Sequence, residues 1–234
     1  MKGCWLILPV LAASLAQAAD PGPNFHEEIL RYNISWPSGL SLGEAEMRAL
    51  HQPSGGPEGA RWRFEFDLDA AVPGFQVKDR VRSLVTDAFC TVEYDKDTAH
   101  GKRKAQEKTT VDLANGLATR ATLNGGKSEI PVGACPHDAL SFLYHLRREI
   151  SQGRLPRAQA VLFGALYHIK LEYGGTRQIE VGGSAAEADR LVAAVKGPSS
   201  EVSFELFVAR DSARTPLLVR VPLPLGSFSM ELVR

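Results

Sequence analysis

Most of the chain alternates apolar and polar residues with a period of two. The runs that show this best have the apolar members Leu30, Tyr32, Ile34 and Trp36; Trp62, Phe64 and Phe66; Tyr167, Ile169, Leu171 and Tyr173; Val202, Phe204, Leu206 and Val208; and Phe228, Met230 and Leu232. Alternation of this kind is typical of antiparallel strands that bury one face of a sheet. The sequence therefore predicts a mainly β fold.

Glycines mark the turns between these runs. Gly174-Gly175 stands between two alternating runs and predicts a two-residue hairpin turn, and Asn115-Gly116 predicts another. Gly43 lies inside an alternating run rather than between two runs. The alternation of apolar and polar residues shifts by one residue at Gly43. We expect a β-bulge or a sharp bend at Gly43, which would curve the strand.

The segment of residues 136–151 has the periodicity of an amphipathic helix, whose main part is expected at residues 138–151, with Asp138 as the N-cap and Gly153 as the stop. Arg147 falls inside its apolar arc. Since an unpaired buried charge is costly, this guanidinium must be paired, reach solvent or meet a ligand. Residues 184–197 are ambiguous, because their alanine content favours a helix while their alternation favours a strand.

The first residues predict a secretory signal peptide over residues 1–18, with a basic Lys2, an apolar stretch and small residues at Ala16 and Ala18. Residues 19–234 are expected to form a single domain without a transmembrane segment. The whole chain has 27 basic and 27 acidic residues. This balance argues against a nucleic-acid binder or a polybasic membrane clamp.

Removal of the signal peptide would leave Cys90 and Cys135 as a pair in an oxidising compartment. We predict a disulfide between them. The alternative is two buried thiols that lie too far apart to bond. Neither cysteine has a second cysteine or a histidine at ligand spacing, so no metal site is expected. No cofactor-binding motif such as a P-loop occurs either, and no cofactor is expected.

Catalytic motifs are missing from the sequence: it has no hydrolase elbow, no H-E-x-x-H, no P-loop and no C-x-x-C. Asp138, Ser141 and His145 share one helix face, which suits a cap and a solvated surface better than a hydrolytic triad. His137 and His145 stand two turns apart on the expected helix, too far to share a metal. We therefore expect a protein that is not an enzyme.

A basic cluster is formed by Lys102, Arg103 and Lys104 together with Lys108. Such a cluster fits contact with anionic lipid headgroups or a polyanion. It also fits a solvated hairpin tip, and the solvated tip is our prediction.

Three stretches occur in order along the chain: YNISWPSGLSLGEAEM, DALSFLYHLR and FELFVARDSARTPLLVRVPLPLGSFSMELV. Together they resemble the bacterial family known only as domain of unknown function 3108. The matching positions are Tyr32, Trp36, Gly43, Asp138, Leu140, Ser141, Tyr144, Arg147, Asp211, Arg214, Pro216, Gly226, Glu231 and Leu232.

The resemblance implies a periplasmic or secreted protein of a Gram-negative-type bacterium. It also implies one strongly curved antiparallel sheet, or open half-barrel, around a helix, broadly like the lipoprotein carriers. Residues 188–197 are a strand in that family. The family has no known activity or cofactor. Cys90 and Cys135 are not a family feature, so the disulfide prediction rests on the two cysteines alone.

Three functions follow as hypotheses. The first is a non-catalytic envelope module that binds an apolar ligand, such as a lipid or an acyl chain, in the curved sheet. The second is a structural or protein-interaction component of the envelope with a filled core, and the third is a hydrolase. The candidate binding residues, which could equally be structural, are Arg147, Tyr144, Asp138 and Asp211. We expect Arg147 to pair with Asp211 or Glu231 and so to lock the helix to the sheet.

Overall fold

The computed structural model describes residues 25–52, 56–72, 74–223 and 226–233. They form the strands β1 Glu28–Ser35, β2 Ser41–His51, β3 Trp62–Val72, β4 Phe75–Val85, β5 Thr91–His100, β6 Arg103–Asp112, β7 Leu117–Thr122, β8 Lys127–Pro131, β9 His137–Asp138, β10 Gln159–Leu162, β11 Leu166–Val181, β12 Ser184–Lys196, β13 Glu201–Ala209, β14 Pro216–Leu223 and β15 Gly226–Leu232. A 3-10 turn covers Pro57–Gly59, and the helix α1 covers Ala139–Ser151. The expected signal peptide, residues 1–18, lies outside the described residues.

All fifteen described strands belong to one sheet, in the order β8-β7-β6-β5-β4-β3-β2-β1-β15-β14-β13-β12-β11-β10-β9. Every neighbouring pair is antiparallel except β9 and β10. The first and last strands of the chain meet at the centre, where Tyr32 lies opposite Leu232. Because β8 and β9 are not paired with each other, the sheet stays open. The expected open, mainly β architecture is confirmed.

The helix occupies the apolar side of this sheet. Leu140 and Tyr144 pack into a cluster that includes Phe64, and Leu146 packs with Leu191 from the other half of the sheet. A third contact is made by Phe142, which packs in a cluster of buried residues from β10, β11 and β12. Since α1 touches both halves, it fills the interior that the curved sheet would otherwise leave open.

Three further contacts draw the β9–β10 end of the open sheet towards β5, β6 and β7. The disulfide between Cys90 and Cys135 is present, with a Cα–Cα distance of 4.7 Å. Beside it the Thr91 amide donates to the Pro136 carbonyl oxygen at 2.7 Å, which links the start of β5 to the approach to β9. Leu162, at the end of β10, packs with buried residues of β6 and β7. The molecule is therefore barrel-like although its hydrogen-bonded sheet is not closed.

The predicted irregularity at Gly43 is a β-bulge. Along β1, Ile34 lies opposite Gly43 while the next residue lies opposite Ser41, so one residue of β2 is left over. Gly43 has φ +156°, and a Cβ there would overlap the Asp69 carbonyl oxygen and lie 2.6 Å from the Ala70 Cα. Glycine is required because the backbone of β3 comes this close.

The predicted hairpin turn at Gly174-Gly175 is wrong. β11 runs without a break through both glycines and makes only a bulge between Tyr173 and Thr176. The Asp189 carboxylate spans this bulge, accepting hydrogen bonds from the hydroxyls of Tyr173 and Thr176 at 3.0 Å each. The chain turns later, between Val181 and Ser184.

The remaining sequence predictions for local structure agree with the fold. The ambiguous segment is the strand β12, as the family resemblance implied. The turn containing Asn115 and Gly116 joins β6 to β7, although it spans four residues rather than two. The expected helix begins after Asp138 and ends at Ser151. Across the described part of the chain, no helix has the length and apolar character needed to cross a membrane.

Candidate functional site

Arg147, the first of the predicted site residues, has a fully buried side chain. α1 turns it toward the sheet, where both Nη groups bond the carboxylate of Glu28 in β1. Its Nε donates to the carbonyl oxygen of Ala213 at 3.0 Å. Burial acts to lower the pKa of Arg147, but the hydrogen bonds and charge of Glu28 outweigh burial and raise it. The guanidinium therefore stays charged and locks α1 to β1 and to the turn between β13 and β14.

The carboxylate partner expected from the sequence was Asp211 or Glu231, and this prediction is wrong. Asp211 instead accepts hydrogen bonds from the amide and hydroxyl of Thr215, so it closes its own turn. Glu231 accepts from the Gly182 amide at 2.8 Å. Both carboxylates satisfy turn backbones, whereas Glu28 stands in the first strand beneath the helix.

Tyr144 completes the surroundings of Arg147. Its ring stacks on Phe64 with centroids 3.9 Å apart, and the Arg147 guanidinium lies 4.9 Å from the same ring. Burial raises the pKa of the Tyr144 hydroxyl well above its usual range. That hydroxyl has no hydrogen-bond partner among the described residues. The structure thus brings Tyr144 and Arg147 together in the interior, away from solvent.

Asp138 forms a second buried polar centre at the start of α1. Its carboxylate accepts from the Leu140 amide at 2.8 Å, from the Thr91 hydroxyl at 2.8 Å and from the Ser83 hydroxyl. Burial raises the pKa of Asp138, while these donors act in the opposite direction. The interactions join the helix start to β4 and β5.

Ser141 is not on a solvated helix face as predicted. It is fully buried, and its hydroxyl accepts from the Asp138 amide at 2.8 Å as half of a capping box. A triad of Asp138, Ser141 and His145 would need an accessible serine hydroxyl. These three residues therefore form a helix cap and its neighbour rather than an accessible triad.

His137 and His145, which the sequence predicted to lie too far apart to share a metal, are in contact. His137 belongs to β9 rather than to the helix, and its ring stacks on His145 with centroids 4.5 Å apart. Burial, with the nearby His145 adding to it, lowers the pKa of His137 to about 4. Burial also lowers the pKa of His145. Among the described residues no group of three or more potential ligands could hold a metal ion.

A groove of about 910 Å³ lies on the face of β1–β6 that points away from α1. Strand alternation builds it: in β2 the buried residues Ala45 and Met47 face the core, so Glu44, Glu46 and Arg48 face the groove. Its charged lining residues are Arg31, Arg48, Lys78, Arg80, Arg82, Lys104, Glu44, Glu46, Asp67, Asp69, Asp79 and Asp97. We call these residues the outer groove. With six cations and six anions, it has no net charge.

Ion pairs run across the outer groove from strand to strand. Arg31 bonds Glu46 at 2.9 Å, and Arg82 bonds Asp67 at 3.1 Å. The hydrogen bond from Arg31 holds the pKa of Glu46 below its usual range, against the smaller effect of burial. Exposed pairs of this kind contribute little stability each. The alternating positive and negative side chains can instead match a partner surface that also carries charges of both signs.

Sequence reasoning missed the outer groove, although two of its carboxylates, Asp67 and Asp69, lie in the alternating stretch RWRFEFDLD. Alternation alone places Glu65 and Asp67 on one face of β3. It does not show which residues of β2 and β4 stand opposite them. That information lies in the register, where Asp67 is opposite Glu46 on one side and Arg80 on the other.

The fold and these sites define an open, barrel-like β protein whose interior is filled by a helix. The chain belongs to the family described as Protein of unknown function (DUF3108), which matches residues 31–233. Its fold is similar to the crystal structure of a beta-barrel-like protein of domain of unknown function DUF1849 from Brucella abortus. That similarity has a TM-score of 0.62 at 5% identity and covers 89% of this chain and 96% of the other. A search of the curated proteins finds no match.

Proposed function

We propose that this chain is a non-catalytic module of the bacterial cell envelope that binds a protein partner in the outer groove. The observation that carries the proposal is the division of the sheet into two unlike faces. The inner face is filled by α1 and its aromatic neighbours, whereas the outer face has an open groove of about 910 Å³ lined by both charges. A surface of mixed charge suits a protein partner, because complementary charges fix the register of an interface.

Placement in the envelope, either periplasmic or secreted, is supported by two features. The first is the signal-peptide pattern over residues 1–18. The second is the bond between Cys90 and Cys135, because disulfides persist mainly in oxidising compartments.

The test is site-specific photo-crosslinking in cells that express the full chain. A photoreactive residue replaces Asn33, which is exposed and lines the outer groove. The control position is Gln178, an exposed residue of β11 that does not line the groove. We expect a discrete crosslinked protein from position 33 only, and its loss when Arg48→Glu reverses one groove charge. Equal crosslinking from both positions would contradict the proposal.

An apolar ligand such as a lipid or an acyl chain is the second candidate function. It is favoured by the aromatic side chains Phe25, Trp36, Trp62 and Phe66, which are only partly buried at the margin of the core. Such a ligand would have to displace α1 contacts to reach the interior, which is why we place it second. Native mass spectrometry of protein isolated from its own envelope tests it, since a retained lipid mass would favour this function over the first.

A further inference from the structure

We propose that one end of the sheet docks on an anionic lipid bilayer through basic and apolar hairpin tips. This docking goes beyond the proposed partner binding. The hairpin end shares only Lys104 with the outer groove, and vesicle binding and crosslinking from Asn33 are separate readouts, so either proposal can fail without the other. The hairpin end, as we call it, consists of Phe75, Lys102, Arg103, Lys104 and Leu123.

Topology brings these residues to the same end of the sheet. They lie in or beside the turns β3–β4, β5–β6 and β7–β8, and β3 to β8 are consecutive antiparallel strands. Alternate turns of such a series point in the same direction. The spacing between paired strands is about 4.8 Å, so the three turns are near neighbours.

Contacts between the turns support this placement. The Gly101 amide donates to the Gln76 carbonyl oxygen at 2.7 Å, and a Cβ on Gly101 would lie 2.9 Å from the Phe75 ring. On the other side, the Leu123 amide donates to the Gln106 carbonyl oxygen at 3.0 Å. Phe75 and Leu123 thus flank the β5–β6 turn that carries the three cations.

The two apolar side chains are directed to solvent. Phe75 is 47% exposed and Leu123 is 75% exposed. Exposed phenylalanine or leucine next to lysine or arginine is the combination that inserts into the headgroup region of an anionic membrane.

The three cations of the hairpin end are also available. Lys102, Arg103 and Lys104 are exposed, and none of them forms an ion pair among the described residues. The cation counted with them in the sequence cluster, Lys108, is engaged with Glu93 at 2.8 Å and does not belong to this surface. Nearby carboxylates already have partners, in the pairs Asp69–Lys78, Asp79–His100 and Asp97–Gln106.

The turns at the opposite end of the same strands differ in charge from the hairpin end. The turns between β2 and β3, β4 and β5, and β6 and β7 carry or adjoin Glu58, Asp87 and Asp112. Two cations lie beside them, Arg61 and the helix residue Arg148, which donates to the carbonyl oxygens of Asp87 and Ala88. An anionic surface would therefore attract the hairpin end rather than the opposite end. This charge difference along the strands fixes which way the protein would face the membrane.

The test is co-sedimentation of the mature chain with vesicles of phosphatidylcholine alone or with added phosphatidylglycerol. We expect binding only to the anionic vesicles, and weaker binding at high salt. The triple variant Lys102→Gln, Arg103→Gln, Lys104→Gln should bind about a hundredfold more weakly, at about fivefold for each lost cation. Phe75→Ser should weaken binding while leaving the salt dependence unchanged.

Matched controls separate the hairpin end from overall charge. The triple variant Arg157→Gln, Lys170→Gln, Arg177→Gln removes three exposed cations from elsewhere, and Ile29→Ser removes an apolar side chain that is 54% exposed in β1. Neither should change vesicle binding. Circular dichroism melts check folding, and single variants at the three cations replace the triple variant if it fails to fold. Absence of binding to anionic vesicles, or equal loss in test and control variants, would overturn the docking.

Discussion

The buried pair of Arg147 and Glu28 gives an asymmetric stability prediction. The Arg147 side chain is fully buried, whereas that of Glu28 keeps 19% of its surface exposed. Glu28→Gln therefore leaves an uncompensated charge in the interior, which costs about 3–5 kcal/mol. Arg147→Met leaves a carboxylate that can still reach water, together with the unpaired Ala213 carbonyl, at about 1–3 kcal/mol. We expect the glutamate variant to be the less stable of the two.

Urea unfolding with the disulfide intact measures both free energies of unfolding. The double variant should cost less than the sum of the single ones, with a coupling of about 1–3 kcal/mol between the two residues. Each kcal/mol should lower the melting temperature by about 2–4 °C in a chain of this size. Glu27→Gln is the control, since Glu27 is exposed and, among the described residues, accepts a hydrogen bond only from the His51 amide. Its effect should stay within about 0.5 kcal/mol.

A wild-type stability for Glu28→Gln would refute the reasoning, because a buried unpaired guanidinium cannot be free of cost. A second outcome would change the role of the pair. If Arg147→Leu kept full stability but abolished retention of a ligand, the pair would serve binding rather than structure.

Three further predictions concern other parts of the fold. Gly43→Ala should destabilise by more than about 3 kcal/mol, because a Cβ would overlap β3, whereas Gly39→Ala, with nothing within 4 Å of its Cβ, should cost less in the same urea titration. Replacing Cys90 and Cys135 by serine opens a loop with a sequence separation of 45 and should cost about 4 kcal/mol, measured against the oxidised protein. The lowered pKa of His137, about 4, adds stability that is complete above pH 6.5 and is lost as the pH falls towards 4. The stability lost over this pH range amounts to about 3 kcal/mol. His137→Gln should remove this part of the pH dependence of the free energy of unfolding.

The local structure was predictable because it depends on neighbouring residues. Alternation in the runs around Tyr32 and Phe64 follows directly from strand geometry, and the N-cap at Asp138 satisfies amides only two and three residues away. The bulge at Gly43 was visible as a phase slip in the sequence. The pattern Gly174-Gly175 was ambiguous by nature, since two glycines permit a tight turn and a bulge alike.

The long-range pairings were not predictable by the same means. Arg147 and Glu28 are separated by 119 positions, and no local pattern connects them. The sequence did indicate that Arg147 needs a partner, because its place in the apolar arc of the helix is a local property. The stacking of His137 on His145 was missed because His137 was assigned to the helix instead of to a strand. The outer groove likewise depends on the register of β2, β3 and β4.

The filled interior is tested most directly by native mass spectrometry of protein isolated at high salt from the cells that naturally produce it. High salt removes lipids held only by surface charge, so a remaining lipid would have to be bound by apolar contacts. We expect the mass of the oxidised chain without any lipid, because α1 occupies the apolar side of the sheet. A stoichiometric lipid or acyl-chain mass would contradict the filled interior and would make the sheet a carrier for an apolar ligand.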